Sequence, residues 1–446
     1  MKPKIVEYLK ELQGLTQKKG GPTFVVGGTL RDRLLGKTNT DFDFTSPDSP
    51  SLAKTFSNRN KLPLVALDDT PQRETHRVIV SREVYFDFTR MQGKTIEEDL
   101  AQRDFTVNAM AQPLNDFIEG KTVFLDPHGG VKDLRERIIR VLPGPIFESD
   151  PLRLLRALRF SSTLGFTIEE TTFQKMVQLN QQIRSVAAER ITQELLFMLN
   201  TSRSQLEPMN QSGLLAALFP ELKPLRIDEF SFLESLLIEP QSLFPKYKQQ
   251  IISFFSQDMH RALIKMTFLF LSFKSPTDIP KTYSKNRNKP SPTQEILKRL
   301  KWSNSHIGFV DRSLWFHYYL LNKMPQLESS IDPKPSIYRF VRDAGQEVIP
   351  SVILTGVVLH NQHGNSDLSQ KVLDPILDFY FNIFLPKSKF PVLLDGNQLQ
   401  ARFNLQPSPR MKHILANIEE ARVLGTITTQ IEAEDLAKTL IQEMEQ

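Results

Sequence analysis

At 446 residues, with 40% apolar and 24% charged side chains, the chain can bury more than one core and is too apolar to be disordered. It has no cysteine, which excludes disulfides, thiolate metal sites and cysteine nucleophiles and fits the reducing cytoplasm. A formal net charge of +5 suits a nucleic-acid partner without demanding one.

No membrane span is expected: the most apolar stretch, 262–273, is short and interrupted by Lys265. Met1 to Ile5 lacks the apolar run of a signal peptide. Residues 4–19 place Ile5, Leu9, Leu12 and Leu15 on one face, which predicts an amphipathic helix packed on a sheet. Phe24-Val25-Val26 reads as a short buried strand. Gly27 and Gly28 end it and expose bare backbone N–H groups. Thr29 to Leu35 reads as a helix with Leu30, Leu34 and Leu35 on one face, stopped by Gly36. Its positive N-terminal end and Arg31 suit a polyphosphate.

Asp41-Phe42-Asp43-Phe44 reads as a second strand. Period two sends Asp41 and Asp43 to one face and Phe42 to the core. Neighbouring carboxylates raise each other's cost of ionising, and a divalent cation removes that conflict. Such hard oxygen ligands suit Mg²⁺ bridging triphosphate oxygens. A lone Gly-Gly is an ordinary turn, and a lone Asp-x-Asp is commonly solvated surface. In this order and at this spacing the two are far more specific.

A polar turn at 46–50 and a helix from about Ser51 come next, then strand-like runs at 62–67, 74–80 and 84–89. The last contains one charge, Asp87, among aromatics; it reads as an edge-strand carboxylate or as a third acid facing Asp41 and Asp43. Thr95 with Glu98 predicts a capping box ahead of Arg103-Asp104-Phe105-Thr106-Val107-Asn108-Ala109. Asp126-Pro127-His128-Gly129-Gly130 is a turn and helix start, with His128 at the surface, and 138–142 is a last strand. Asp150-Pro151 then opens a helix, proline being tolerated at the first helical position. Arg153, Arg156 and Arg159 form one stripe on it, and Leu152, Leu155 and Leu158 another. Asp150 can accept from an exocyclic amine and Arg153 can donate to a ring nitrogen or carbonyl, so the pair can favour C and A over G and U. Beyond residue 225 the pattern stays helical, with a proline-, lysine- and serine-rich loop at 275–292.

The ordered Gly27-Gly28-x-x-Arg31-Asp32 and Asp41-x-Asp43 resemble the nucleotidyltransferase superfamily that shares a fold with DNA polymerase β. In this form they are similar to the class II tRNA nucleotidyltransferase and bacterial poly(A) polymerase family. The similarity extends well over 20–222, through the Arg103–Ala109 segment, the Asp-Pro-x-Gly-Gly turn, Asp150-x-x-Arg153 and the helix around 188–196, and loosely beyond. It implies an α+β fold: a polymerase-β-like catalytic head (1–145), a helical neck binding base and RNA (146–222), and an all-α body and tail for tRNA (223–446). It also implies template-independent addition of C and A from CTP and ATP to a tRNA 3′ end. Asp41 and Asp43 would hold Mg²⁺, with Asp87 aiding metal binding or activating the attacking hydroxyl. Gly27, Gly28, Arg31 and Arg103 would seat the triphosphate. Asp104 and Asn108 are candidates for sugar or structural contacts, although an Arg103–Asp104 pair on a helix, taken alone, reads as a surface ion pair of little worth. Asp150 and Arg153 would read the base, and Arg156 and Arg159 would support the site.

Two departures accompany the resemblance. Ser149 stands where the family has a glutamate before the base-reading aspartate, with Glu148 adjacent. The segment 91–102 is short, where many relatives carry a longer loop that helps switch from C to A. Addition of C's only or of the final A only, and poly(A) synthesis, are the alternatives within the family. An RNA-binding protein without catalysis is the alternative outside it, opposed by the intact Asp41, Asp43, Arg103 and Arg153.

Overall fold

The computed structural model describes residues 3–19, 21–223, 225–257, 259–271, 290–363 and 366–445. The loop expected at 275–292 lies, up to residue 289, outside them. Two compact units emerge, Met1–Met198 with Ser204–Pro220, and Glu221–Gln446 with Leu199–Arg203.

In the first unit, β1 (Phe24–Val26), β2 (Asp41–Ser46), β3 (Leu64–Asp68), β4 (Thr75–Ile79), β5 (Tyr85–Arg90) and β6 (Ala111–Pro113) form one mixed sheet in the order β3-β4-β5-β2-β1-β6. Within it only β2 and β5 run parallel, with Asp41 opposite Tyr85 and Asp43 opposite Asp87. This register aligns Asp-Phe-Asp-Phe with Tyr-Phe-Asp-Phe. One face therefore carries the acids, and the other carries Phe42, Phe44, Phe86 and Phe88, all fully buried. Phe56, from α3 (Ser49–Asn60), stacks on Phe86 with ring centroids 5.6 Å apart. Each buried ring contributes about 1.5–3 kcal/mol of transfer free energy. The first helix, α1 (Pro3–Lys19), buries Leu9 and Leu12, as its spacing predicts, and packs against α3 and the helix at Leu114–Glu119.

The second helix differs from expectation. α2 (Gly27–Leu34) begins at the glycines themselves, and Leu30 is its fully buried leucine while Leu34 is 38% exposed. α4 (Ile96–Ala101) carries half of the predicted capping box. Thr95 accepts from the Glu98 N–H, but the Glu98 carboxylate takes the Lys94 N–H instead. α5 (Leu114–Glu119) and α6 (Gly130–Glu136) complete this part. His128 is half-buried, with its Nε2 shielded from solvent, rather than a free surface residue.

The expected strand 138–142 is shortened to β7 (Ile138–Ile139), which pairs in parallel with β8 (Thr167–Ile168), outside the main sheet. Val141 instead bridges Phe105. The reason lies in Arg140. Its guanidinium binds Asp133 of α6 at 3.0 Å and Glu169, just past β8, at 2.8 Å, and so draws this segment away from the main sheet. Three helices then matter to the site: α7 (Ile146–Ser149), α8 (Leu152–Leu164) and, following α9 (Glu170–Leu179), α10 (Ala188–Leu199).

The second unit is helical throughout its described residues. Its helix His260–Phe270 holds the chain's most apolar stretch, and from Ala262 to Phe270 every residue is buried. Lys265 is buried within it and pairs with Glu234 at 2.6 Å. At the chain's end Asp395 caps the helix Gly396–Phe403 in a full capping box, and Leu399, Ile414, Ile418, Ala433 and Ala437 form a small core. Among the described residues no helix is long and apolar enough to cross a membrane.

Candidate active site

A cleft of 720 Å³ in the first unit lies over the acidic face of the sheet. Gly27, Gly28, Arg31, Asp41, Asp43, Asp87, Arg103, Asp150, Arg153, Arg156 and Arg159 all line it. The structure thus brings together every residue the sequence singles out. The volume suits a nucleotide-sized ligand.

The floor is β2 and β5. Asp43 is half-buried, and its carboxyl is pushed up to about 6, first by burial and then by the Asp87 charge, against Arg103 and Arg31. Asp41 is raised too, by burial and by Asp87 and Asp32, with Arg77 opposing. Carboxylates held above their ordinary range favour an added cation. Asp87 does not stand free. Arg77 of β4 grips both its oxygens, at 2.8 and 2.7 Å, and lies 4.7 Å over the Tyr85 ring. Among the described residues no group of three or more histidine or acidic side chains gathers as a ready metal cage. The donor set is instead an Asp41–Asp43 pair, which suits a hard cation that takes its remaining ligands from phosphates and water.

The glycine turn is wedged against that floor. Gly27 has φ +61°, and a Cβ there would lie 3.0 Å from Nη1 of Arg103. A Cβ on Gly28 would lie 3.3 Å from Oδ2 of Asp43. Thr29 fastens the turn to β2: its hydroxyl accepts from the Asp43 N–H at 2.6 Å. Arg103 lies just past the end of α4, where Asp99, buried, holds its guanidinium at 2.9 Å.

A continuous polar chain then crosses from α2 to α10. Arg31 donates to Asn108 at 2.8 Å, and Asn108 donates to Asp104 at 3.0 Å. Arg156 binds Asp104 at 2.7 Å and approaches Glu194 of α10 at 3.6 Å. Glu194 also takes Arg159 at 2.5 Å. Beneath them the Phe160 ring, 5% exposed, lies 5.3 Å from Arg31, 5.2 Å from Arg156 and 4.1 Å from Arg159.

Asp150 sits in extended backbone between α7 and α8 and accepts from the Leu152 N–H at 3.3 Å. Arg153 donates to the carbonyls of Gln102 at 2.8 Å and Ile146 at 3.3 Å, and to the Ser149 hydroxyl at 3.4 Å. Ser149 and two carbonyls therefore hold the arginine where the resemblance expects a glutamate; Glu148 is exposed. Arg190 of α10 binds both oxygens of Asp150, at 2.9 and 3.3 Å. Its side chain is 52% exposed, so the pair adds at most about 1 kcal/mol to stability.

Thr29, Arg77, Asp99, Phe160 and Glu194 escape the sequence reading as parts of the site. Asp104, beside Arg103 and expected to make sugar or structural contacts, makes structural ones, to Asn108 and Arg156. That adjacency suggests an Arg103–Asp104 pair, yet the two side chains diverge, Arg103 to Asp99 and Asp104 to Arg156.

Residues 23–140 match the family described as the poly A polymerase head domain, and 165–225 match a probable RNA- and SrmB-binding site of polymerase A. A CC-adding tRNA nucleotidyltransferase of Synechocystis sp. is 28% identical over 426 residues, 93% of each chain. The CCA-adding enzyme solved in complex with ATP superposes with a TM-score of 0.71 at 21% identity, covering 100% of this chain and 96% of that one. A multifunctional CCA protein of Neisseria gonorrhoeae is 31% identical over 297 residues, 63% of this chain and 69% of the relative. That identity, spread over more than two thirds of the gonococcal protein, makes this chain a member of the tRNA nucleotidyltransferase and poly(A) polymerase family.

Proposed function

We propose that the chain is a cytoplasmic, template-independent nucleotidyltransferase that builds the C-C-A end of tRNA from CTP and ATP, releasing pyrophosphate. The observation that carries this reading is the single cleft in which the Asp41–Asp43 pair, the glycine turn and the Asp150–Arg153 pair meet. Asp41 and Asp43 would hold Mg²⁺. When bound, the metal supplies Lewis-acid activation of the 3′-hydroxyl and neutralises charge on the departing pyrophosphate. The backbone of Gly27 and Gly28, with Arg31 and Arg103, seats the triphosphate. Asp87, fixed by Arg77, orients the acceptor hydroxyl beside Asp43. Asp150 accepts from the amine of C or A, and Arg153 donates to the same edge. Arg156 and Arg159 keep α8 over the site. The segment 146–222 binds base and RNA end, and 223–446 grips tRNA by shape and phosphate contacts.

A second reading, addition of C-C alone, is favoured by one observation. The connection from β5 to α4 is only residues 91–95, and it is tied down: Met91 is 6% exposed, and Gln92 donates its N–H to Asp99 at 2.9 Å. The Synechocystis relative, matched over 93% of each chain, is also named as CC-adding.

Purified protein with Mg²⁺, CTP and ATP, given tRNA transcripts ending before C-C-A and after C-C, distinguishes these readings. Extension of both is expected for full addition, and extension of the first alone for C-C addition. Long tails on unrelated RNA point to poly(A) synthesis, and no extension of any transcript refutes the enzyme.

Gly27→Ala is a further expectation. A methyl group there costs about 1–2 kcal/mol in left-handed backbone and presses on Arg103. The KM for CTP should rise about tenfold, while Gly36→Ala, at a left-handed glycine with open space around it, leaves the KM unchanged.

A further inference from the structure

We propose that Arg190 is a positioning residue for base selection: by holding Asp150 it prevents the two base-reading groups, Asp150 and Arg153, from neutralising each other. The inference rests on the nucleotidyltransferase reading of this cleft.

Asp150 lies in extended backbone two residues before α8 and Arg153 in the first turn of α8, and both line the one cleft, so the opposite charges are near enough to compete for each other. Such a pair would satisfy both groups and leave neither for a nucleobase. Among the described residues their partners lie elsewhere. Arg153 is held by the Gln102 and Ile146 carbonyls and Ser149, and Asp150 by Arg190. The Arg153 site still feels the Asp150 charge, so the competing pair is close at hand.

Arg190 comes from α10, forty residues away in sequence, and it lines the same cleft. Its exposure leaves little reason for the contact in the stability of the fold. A carboxylate offers about four acceptor sites. Arg190 uses two and the Leu152 N–H one, which leaves capacity for one exocyclic amine. A base presenting a carbonyl at that point, as U does, meets an ionised acceptor with no proton to share. Without Arg190, Asp150 can turn to Arg153. CTP then loses a bond, UTP loses a repulsion, and selection falls at both ends.

The test is single-nucleotide extension of a tRNA transcript by wild type, Arg190→Ala, Arg190→Lys and Glu189→Ala, with kcat/KM measured for CTP and for UTP. The CTP/UTP ratio is expected to fall at least tenfold in Arg190→Ala, mainly through the KM for CTP, at an unchanged melting temperature. Arg190→Lys keeps the charge but not the two-pronged grip, so it should recover part of the ratio. Glu189→Ala, on the same turn, should leave the ratio at the wild-type value. A discriminating wild type whose Arg190→Ala ratio stays within twofold overturns the role of Arg190 alone. A wild type that extends nothing overturns the underlying reading, and this inference with it.

Discussion

Asp43→Asn is expected to abolish nucleotide transfer and, in the same preparation, to stabilise the metal-free protein. Both effects have one origin: the fold holds Asp43 in a place that disfavours its charge. Burial and the Asp87 charge lift its carboxyl from 3.8 to about 6, more than Arg103 and Arg31 can offset. A group whose pKa rises on folding binds protons more tightly in the native state. Its unfavourable contribution is therefore absent below about pH 4, grows between pH 4 and 6, and is complete at neutral pH. A shift of this size corresponds to about 3 kcal/mol at most. Partial exposure reduces this to about 1–2 kcal/mol. Thermal unfolding in EDTA at pH 7.5 should show Asp43→Asn melting above wild type, with the difference vanishing near pH 4. Adding Mg²⁺ with CTP should raise the wild-type midpoint more than the variant's, because the variant keeps the triphosphate and base contacts but lacks one of the two carboxylates that would hold the metal. A variant less stable than wild type in EDTA at pH 7.5 would show that the arginines, not burial, dominate at Asp43.

The same pair of strands shows what a sequence discloses and what it hides. Asp41-Phe42-Asp43-Phe44 states its own geometry, because strand periodicity alone separates acids from rings, and the aromatic-flanked Asp87 repeats that statement on β5. The glycine turn is legible for a similar reason, since few other residues tolerate φ near +60° so close to an arginine. The partners of these groups are not legible. Arg77 reaches Asp87 through antiparallel pairing of β4 with β5, and nothing in Thr-His-Arg-Val-Ile marks its third residue as a clamp. Glu194 lies 35 residues from Arg159 and 38 from Arg156, so only the packing of α10 against α8 reveals that it serves both. The Arg103-Asp104 dipeptide misleads because adjacency in sequence is not adjacency of side chains. The backbone leaves α4 at Gln102, bridges to Val141 through Phe105 and sends the two charges apart. The strand expected at 138–142 fails on the same ground: its apolar run is legible, but the pull of Arg140 on Asp133 and Glu169 is tertiary.

Asp104 is where these hidden contacts converge, and its removal should be the most damaging change to the first unit. It is 6% exposed, yet its four contacts satisfy it fully. One oxygen accepts from the Phe105 N–H at 2.9 Å and from Asn108, and the other takes Arg156 through two nitrogens. Burial alone would raise its pKa, but the Arg156 charge and the Asn108 hydrogen bond outweigh it and bring the group down to about 2. Its pKa is thus depressed on folding. The stabilisation is complete above about pH 4 and is lost as the pH falls through 2. Asp104→Ala strands Arg156 with only the longer contact to Glu194 and frees Asn108, which orients Arg31. Breaking a buried pair from one side costs about 3–5 kcal/mol. For a unit of this size that is a loss of about 10 °C in melting temperature at pH 7. The gap should narrow steadily as the pH is lowered from 4 to 2, because wild type then loses what the variant never had. A second substitution separates the two contributions. In Asp104→Ala combined with Arg156→Leu no stranded cation remains, so much of the lost stability should return while nucleotide transfer stays impaired, because Asn108, which orients Arg31, has still lost its hold on Asp104. An Asp104→Ala protein melting within 2 °C of wild type at pH 7 would mean that the chain from Arg31 to Glu194 is a surface arrangement, not the brace that holds α8 over the acidic floor.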